Sequence, residues 1–202
     1  MQRLFLLSPA HCGGERARLV FRKEADFDLA RRLRSEEGAQ LGEVFSFLSG
    51  LYFRGKLTYA RAYARPPEGV PGVLVITPNR GLLPADVPVD LAGLRAFARV
   101  DIQEDDARYA RPLRRDARLL AARLDRDAEV VLLGSIATGK YRSVLSEVFG
   151  ERLLFPSSFV GRGDMSRGGL MLRAAREGRE LEYAPVLGAV LHGARPPRLA
   201  AM

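Results

Sequence analysis

Short apolar runs alternate along this chain with longer stretches in which apolar residues recur every three or four positions. Leu4-Phe5-Leu6-Leu7, closed by Ser8-Pro9, predicts a strand buried on both faces. Residues 24–35, with Ala25, Leu29 and Leu33 spaced by four, predict a helix. Residues 42–64 predict one or two helices, with Gly50 and Gly55 marking a break. Val73-Leu74-Val75-Ile76-Thr77, stopped by Pro78, predicts a second strand. Helices follow over Leu91–Ala98 and Pro112–Leu124, where Pro112 suits a first helical turn. Val130-Val131-Leu132-Leu133 is a third strand ended by Gly134, and 141–149 a helix with Gly150 as its C-cap. A fourth strand is expected over 152–155, a helix over 166–177 closed by Gly178, and a last strand over 181–183.

Strands that alternate with helices define the class. The expectation is a single α/β domain, a mainly parallel twisted sheet with helices on both faces. Residues 1–184 form that domain. Residues 185–202 form a basic, Pro-containing tail (Arg195-Pro196-Pro197-Arg198) lying loosely on the surface.

Composition narrows the picture only in places. At 202 residues, 47% hydrophobic and 28% charged, the chain suits one domain with a real core. The net charge of +8 favours a polyanionic partner such as nucleic acid, although many arginines simply solvate a surface. A single cysteine, Cys12, excludes an internal disulfide framework. The opening MQRLFLLSPAH is too short in its apolar run for a signal peptide, and no stretch approaches a membrane span. A cytoplasmic protein without a membrane partner is expected. The oligomeric state is left open.

The chemistry is expected in the loops beyond the carboxyl ends of the strands, where open α/β sheets bind ligands. Those loops read SPAHCGG (8–14), TPNRGLLPAD (77–86), GSIATGKY (134–141) and PSSFVGRGDMSRGG (156–169). They carry His11, Cys12, Arg80, Lys140, Arg162, Asp164 and Arg167, and the expectation is that they line one cleft for an anion. GSIATGKY is close to a P-loop, with Gly134, Gly139 and Lys140 in place but Tyr141 where the magnesium-binding hydroxyl belongs. It is read as a cradle for one phosphate and not as a nucleotide triphosphatase. No His/Cys/Asp/Glu cluster has metal-ligand spacing, and no metal or other cofactor is expected.

PSSFVGRGDMSRGG is read as a long functional loop. Arg162 and Arg167 offer planar forks to phosphate or carboxylate. Asp164 either orients one of them or acts on the ligand's reacting centre. Ser166 is read as the cap of the next helix. His11 and Cys12 are adjacent, so in an extended segment their side chains point apart and do not form a nucleophile–base pair. Each stays a candidate for catalysis alone, with burial as a small apolar residue the competing reading of Cys12. Lys56, inside an aromatic helical stretch, reaches the site from below or is a solvated lysine.

Several of these segments occur in a familiar order. LLSPAH resembles the I-S-P-A-K opening of the YaaA peroxide-stress protein family. SGLYFRGKLTYARAYA resembles the aromatic, Gly-containing helix of that family and of related domains of unknown function. VLVITPNRGLLPADVPVD resembles their strand and G-L-x-x-P turn, LLGSIATGKYRSVL their strand and Tyr-bearing helix, and GRGDMSRGGLMLR an A-R-G-x-M-[SA]-R segment. The likeness spans most of residues 1–184 by order. Departures are the shorter chain, His11 in place of the family's Lys, and Asp164 after the Arg162-Gly163 pair. The resemblance implies an α/β fold similar to that of uracil-DNA glycosylases, a link to double-stranded DNA and oxidative stress, and neighbours in base-modification chemistry.

Three functions follow as expectations. The first is an enzyme acting on a nucleobase, nucleotide or nucleic-acid base. The second is a non-catalytic, double-stranded-DNA-binding stress-response protein. The third is a biosynthetic enzyme whose arginines bind a carboxylate or phosphate substrate.

Overall fold

The computed structural model describes residues 1–194 together with 196 and 197. In chain order the elements are β1 (Arg3–Leu7), α1 (Glu15–Phe21), α2 (Asp28–Arg32), β2 (Ala39–Gln40), α3 (Leu41–Ser49), α4 (Leu51–Tyr63) and β3 (Val73–Ile76). There follow β4 (Leu82–Pro84), β5 (Pro88–Val89), α5 (Leu91–Ala98), α6 (Ala107–Ala121), β6 (Glu129–Leu133), α7 (Gly139–Phe149), β7 (Leu153–Pro156), α8 (Asp164–Arg176) and β8 (Tyr183–Pro185).

Among the described residues the main sheet has six strands in the order β4-β3-β1-β6-β7-β8. β3, β1, β6 and β7 pair in parallel, and the edge strands β4 and β8 are antiparallel. The expected mainly parallel α/β fold is therefore present. Parallel strands covered on both faces alternate between two cores. Phe5, Leu7, Val75, Val131 and Leu133 pack toward α3, α4, α5 and α8. Leu4, Leu6, Leu74, Ile76, Val130 and Leu132 pack toward α6 and α7.

Connectivity fixes where a site can form. From β1 the chain reaches β3 on one side, and from β3 it crosses to β6 on the other side of β1. The order thus reverses between β1 and β6, and a crevice opens there beyond the carboxyl ends.

Several local expectations are corrected. Residues 24–35 give only the short α2, and α1 precedes it. Gly50 alone breaks the 42–64 segment: at φ 63° it closes α3 in a left-handed conformation that a side chain disfavours. Gly55 lies inside α4, where the absence of a Cβ lets Gly168 of α8 approach closely. Pro112 sits inside α6, not in its first turn. The helix begins earlier because the Asp106 side chain accepts from the Arg108 N–H. PSSFVGRGDMSRGG is not one loop. It contains a turn of 3-10 helix over Ser157–Phe159, and α8 starts at Asp164 with Gly163 at the N-cap, so Ser166 is no cap. The tail is less loose than expected: Pro185 ends β8, Val186 is buried, and the Pro197 carbonyl accepts from Arg162. Arg195 and Arg198 lie outside the described residues. Among the described residues, no helix is long and apolar enough to cross a membrane.

Candidate functional site

A cleft of about 410 Å³ occupies the carboxyl edge of the sheet at this reversal point. The loop after β1 supplies Pro9, Ala10, His11, Cys12 and Gly13, and the turn after β3 supplies Pro78. Lys140 and Tyr141 come from the start of α7, after β6. The remaining wall is Phe97, Ala98, Val100, Asp101, Ile102 and Gln103, at the end of α5 and beyond. The volume suits a small-molecule ligand. Pro9, Pro78, Phe97 and Tyr141 give it flat apolar surfaces, while Lys140, His11 and Asp101 give it polar ones.

His11, Cys12 and Lys140 thus meet as expected, but the convergence is incomplete. Arg80 leaves the cleft, lying 5.5 Å over the Phe97 ring and lining a separate groove with Glu36, Glu37 and Asp90. Arg162 turns back onto its own segment, donating to the Ser158 carbonyl, to Ser166 Oγ and to the Pro197 carbonyl. Gly139 opens α7, but a Cβ there would lie 2.5 Å from the Glu104 carboxylate. An acid therefore stands where a phosphate was expected, as the positive end of a helix favours. Gly134 packs against Ser8. Cys12 is 4% exposed, its Sγ lies 3.5 Å from the Ala10 carbonyl, and burial pushes its thiol up to about 12. Such a thiol stays protonated at neutral pH, which removes Cys12 as a nucleophile.

Beside the cleft lies a second cluster, in which Lys56, Asp164 and Arg167, marked by the sequence, meet Ser8 and Tyr52, which the sequence did not mark. Lys56, on α4, is 1% exposed. Its Nζ donates to the Ser8 carbonyl at 2.5 Å and lies 2.9 Å from Ser8 Oγ, with the Tyr52 and Phe53 rings 4.3 and 4.8 Å away. Among the described residues no carboxylate pairs with it. Burial pushes the amine down to about 7; Asp164 opposes the fall and Arg167 adds to it. The Tyr52 hydroxyl is sealed and makes no hydrogen bond, although Arg167 and Ser8 lie near enough to ease its ionisation against a burial that holds it at about 12. Arg167 donates to the Phe159 carbonyl and faces Asp164 at 3.6 Å. Asp164 itself is exposed, on the first turn of α8, and does not line the cleft. Tyr141 joins the two regions: it lines the cleft, and Tyr52 and Asp164 add to the upward shift that burial imposes on it.

Lys56 occupies the buried stripe of α4 with Phe53, Leu57 and Ala60. That spacing is the signal that could have marked it as buried. Phe97 and Asp101 had no such signal, because they lie at the end of a helix and just beyond it rather than after a strand. Fold and site together define an open α/β protein with an aromatic-walled cleft at its reversal point that carries one lysine and one carboxylate. No family model, curated protein or solved structure matches the chain.

Proposed function

We propose that the protein is an enzyme acting on a nucleobase, a nucleotide or a base within nucleic acid. The observation that carries this reading is the cleft itself: flat apolar walls, one lysine and one carboxylate at the reversal point of a parallel sheet. The net charge of +8 and the resemblance of the chain's motifs to the YaaA family support the same class of ligand. Lys140 and His11 hold phosphate or a polar base edge, and the aromatic and proline surfaces take the base. Asp101 is the carboxylate at the reacting centre. Asp164, which faces Arg167, takes the positioning role that its sequence context left open.

The test is turnover. Nucleosides, nucleotides and short single- and double-stranded oligonucleotides are incubated with the protein, and released or altered base is followed by chromatography. Asp101→Asn is expected to keep ligand binding while turnover falls by about 10²-fold or more. Asp164→Asn is expected to keep most turnover. Conversion by none of these substrates, or full activity in Asp101→Asn, contradicts the reading.

One observation favours a second reading, a DNA-binding protein. Arg111, Arg114, Arg115 and Arg118 line an exposed groove on α6. Arg114 and Arg118 share Glu147 and Arg115 meets Asp116, while Arg111 has no such partner among the described residues. On this reading duplex DNA is retarded at low salt, and affinity drops steeply between about 50 and 200 mM salt. Arg111→Ala and Arg115→Ala then weaken binding equally for all sequences. Unchanged DNA affinity in that double variant removes α6 as the contact surface.

A further inference from the structure

The Ser8–Lys56 contact lies at the carboxyl end of the central strand, one residue before the cleft wall begins at Pro9. A serine hydroxyl becomes a nucleophile when an adjacent base stands within about 2.6–3.2 Å to take its proton, and Nζ is 2.9 Å from Oγ. We propose that Ser8 and Lys56 form a nucleophile–base pair, giving the cleft a second capability: transfer or hydrolysis of a small acyl group held as a carboxylic ester or amide. This goes beyond the nucleobase reading, because it asks only for an electrophilic carbonyl carbon in the cleft.

Three features point this way. The pair stands next to the cleft: Ser8 keeps 5% of its surface and Lys56 1%, and Ser8 is joined directly to Pro9, where the wall begins. The amine is placed to be neutral. It is sealed between β1 and two aromatic rings of its own helix, and the charged groups that act on it are Asp164 and Arg167, both on α8 and of opposite sign. With a neutral amine the contact reverses, the hydroxyl donating to the nitrogen lone pair. A lysine kept only to satisfy the Ser8 carbonyl is an expensive choice, since burying an ammonium without a carboxylate partner is strongly unfavourable.

The steps balance without any co-reactant but water. Ser8 Oγ adds to the carbonyl carbon while its proton passes to Lys56 Nζ and the carbonyl pair moves onto oxygen. Collapse breaks the bond to the alcohol or amine leaving group, which takes the proton from Lys56 and leaves an acyl-serine. Water then adds to the acyl carbon, giving its proton to Lys56. The second collapse releases the acid, and the proton returns to Ser8.

The experiment uses the full chain with two probes, p-nitrophenyl acetate and diisopropyl fluorophosphate, followed by intact mass and peptide mapping. A single adduct on Ser8 is expected, with a rate that rises with pH and is half-maximal near pH 7, as the amine loses its proton. Ser8→Ala abolishes the adduct. Lys56→Arg, which keeps a positive charge but cannot act as a base, slows it by about 10²-fold or more. Because Lys56→Arg can fail to fold, the pH profile of the unaltered protein stands as the independent check. The proposal is overturned if neither probe modifies Ser8, if Cys12 is the residue modified, or if the rate is flat between about pH 5 and pH 9. Nucleoside binding measured on the same sample reports on the nucleobase reading separately.

Discussion

At about pH 6, Lys56→Met is expected to gain stability relative to the parent, and by about pH 10 that gain should be largely gone. The cause is the buried amine. Its pKa falls from 10.5 to about 7 on folding, so between those values the unfolded chain binds more protons than the folded one. Stability therefore rises with pH through this window, and the full penalty applies below about 7. At 1.36 kcal/mol per unit, the parent should gain on the order of 4 kcal/mol relative to the uncharged variant between about pH 6 and pH 10. Methionine is unbranched like lysine and one atom shorter, so it fills most of the same space beside Tyr52 and Phe53. Its own cost is the loss of the bond to the Ser8 carbonyl, about 1–3 kcal/mol and independent of pH in this range. Denaturant unfolding of both proteins across the pH series gives the difference directly. A constant difference would mean that Lys56 is charged or neutral throughout, and that the amine is not the titrating group described here.

Gly168→Ala is expected to destabilise the protein by about 3 kcal/mol, near the upper end of what overpacking costs. A Cβ at Gly168 would lie 2.8 Å from the Leu51 carbonyl and 2.9 Å from the Tyr52 Cα, both on the backbone of α4. Gly55 meets Gly168 equally closely from the other side, with the carbonyl oxygen 2.6 Å from its hypothetical Cβ. Backbone cannot rotate away as a side chain can, so α4 and α8 must separate. That separation moves Lys56 and Tyr52 relative to Arg167 and disturbs the cluster beside the cleft. Gly163→Ala is the control. It lies at the N-cap of the same helix, nothing stands within 4 Å of its Cβ position, and little change is expected. Equal melting temperatures for Gly168→Ala and the parent would contradict the close helix packing.

What was legible in the sequence follows from how each segment is buried. β1, β3 and β6 are covered on both faces, so they appear as unbroken apolar runs. β4 and β8 were harder: they are three-residue edge strands, each ending in a proline that an edge tolerates. Leu82-Leu83-Pro84 therefore reads as a turn. α6 was placed too late because proline is a strong starting signal, while the weaker Asp106 cap six residues earlier sets the true start. For the site, strand-end logic recovered His11, Cys12 and Lys140. It could not tell where an arginine goes after leaving the backbone. Arg80 and Arg162 are directed by the Phe97 ring and by the Ser158 carbonyl, partners distant or nondescript in sequence. Ser8 reads as a strand stop, and its side-chain partner is a lysine 48 positions later.

The central claim is that the cleft between the β1 and β6 ends binds a ligand carrying a nucleobase. Calorimetric titration of nucleosides and their 5′-monophosphates into the parent and Lys140→Ala tests it most directly. The account predicts one saturable site, with the nucleotide bound about tenfold more weakly by the variant, a loss of about 1.4 kcal/mol, and the nucleoside much less affected. Absence of saturable binding by any of these ligands, or nucleotide binding that is the same in both proteins, would contradict it.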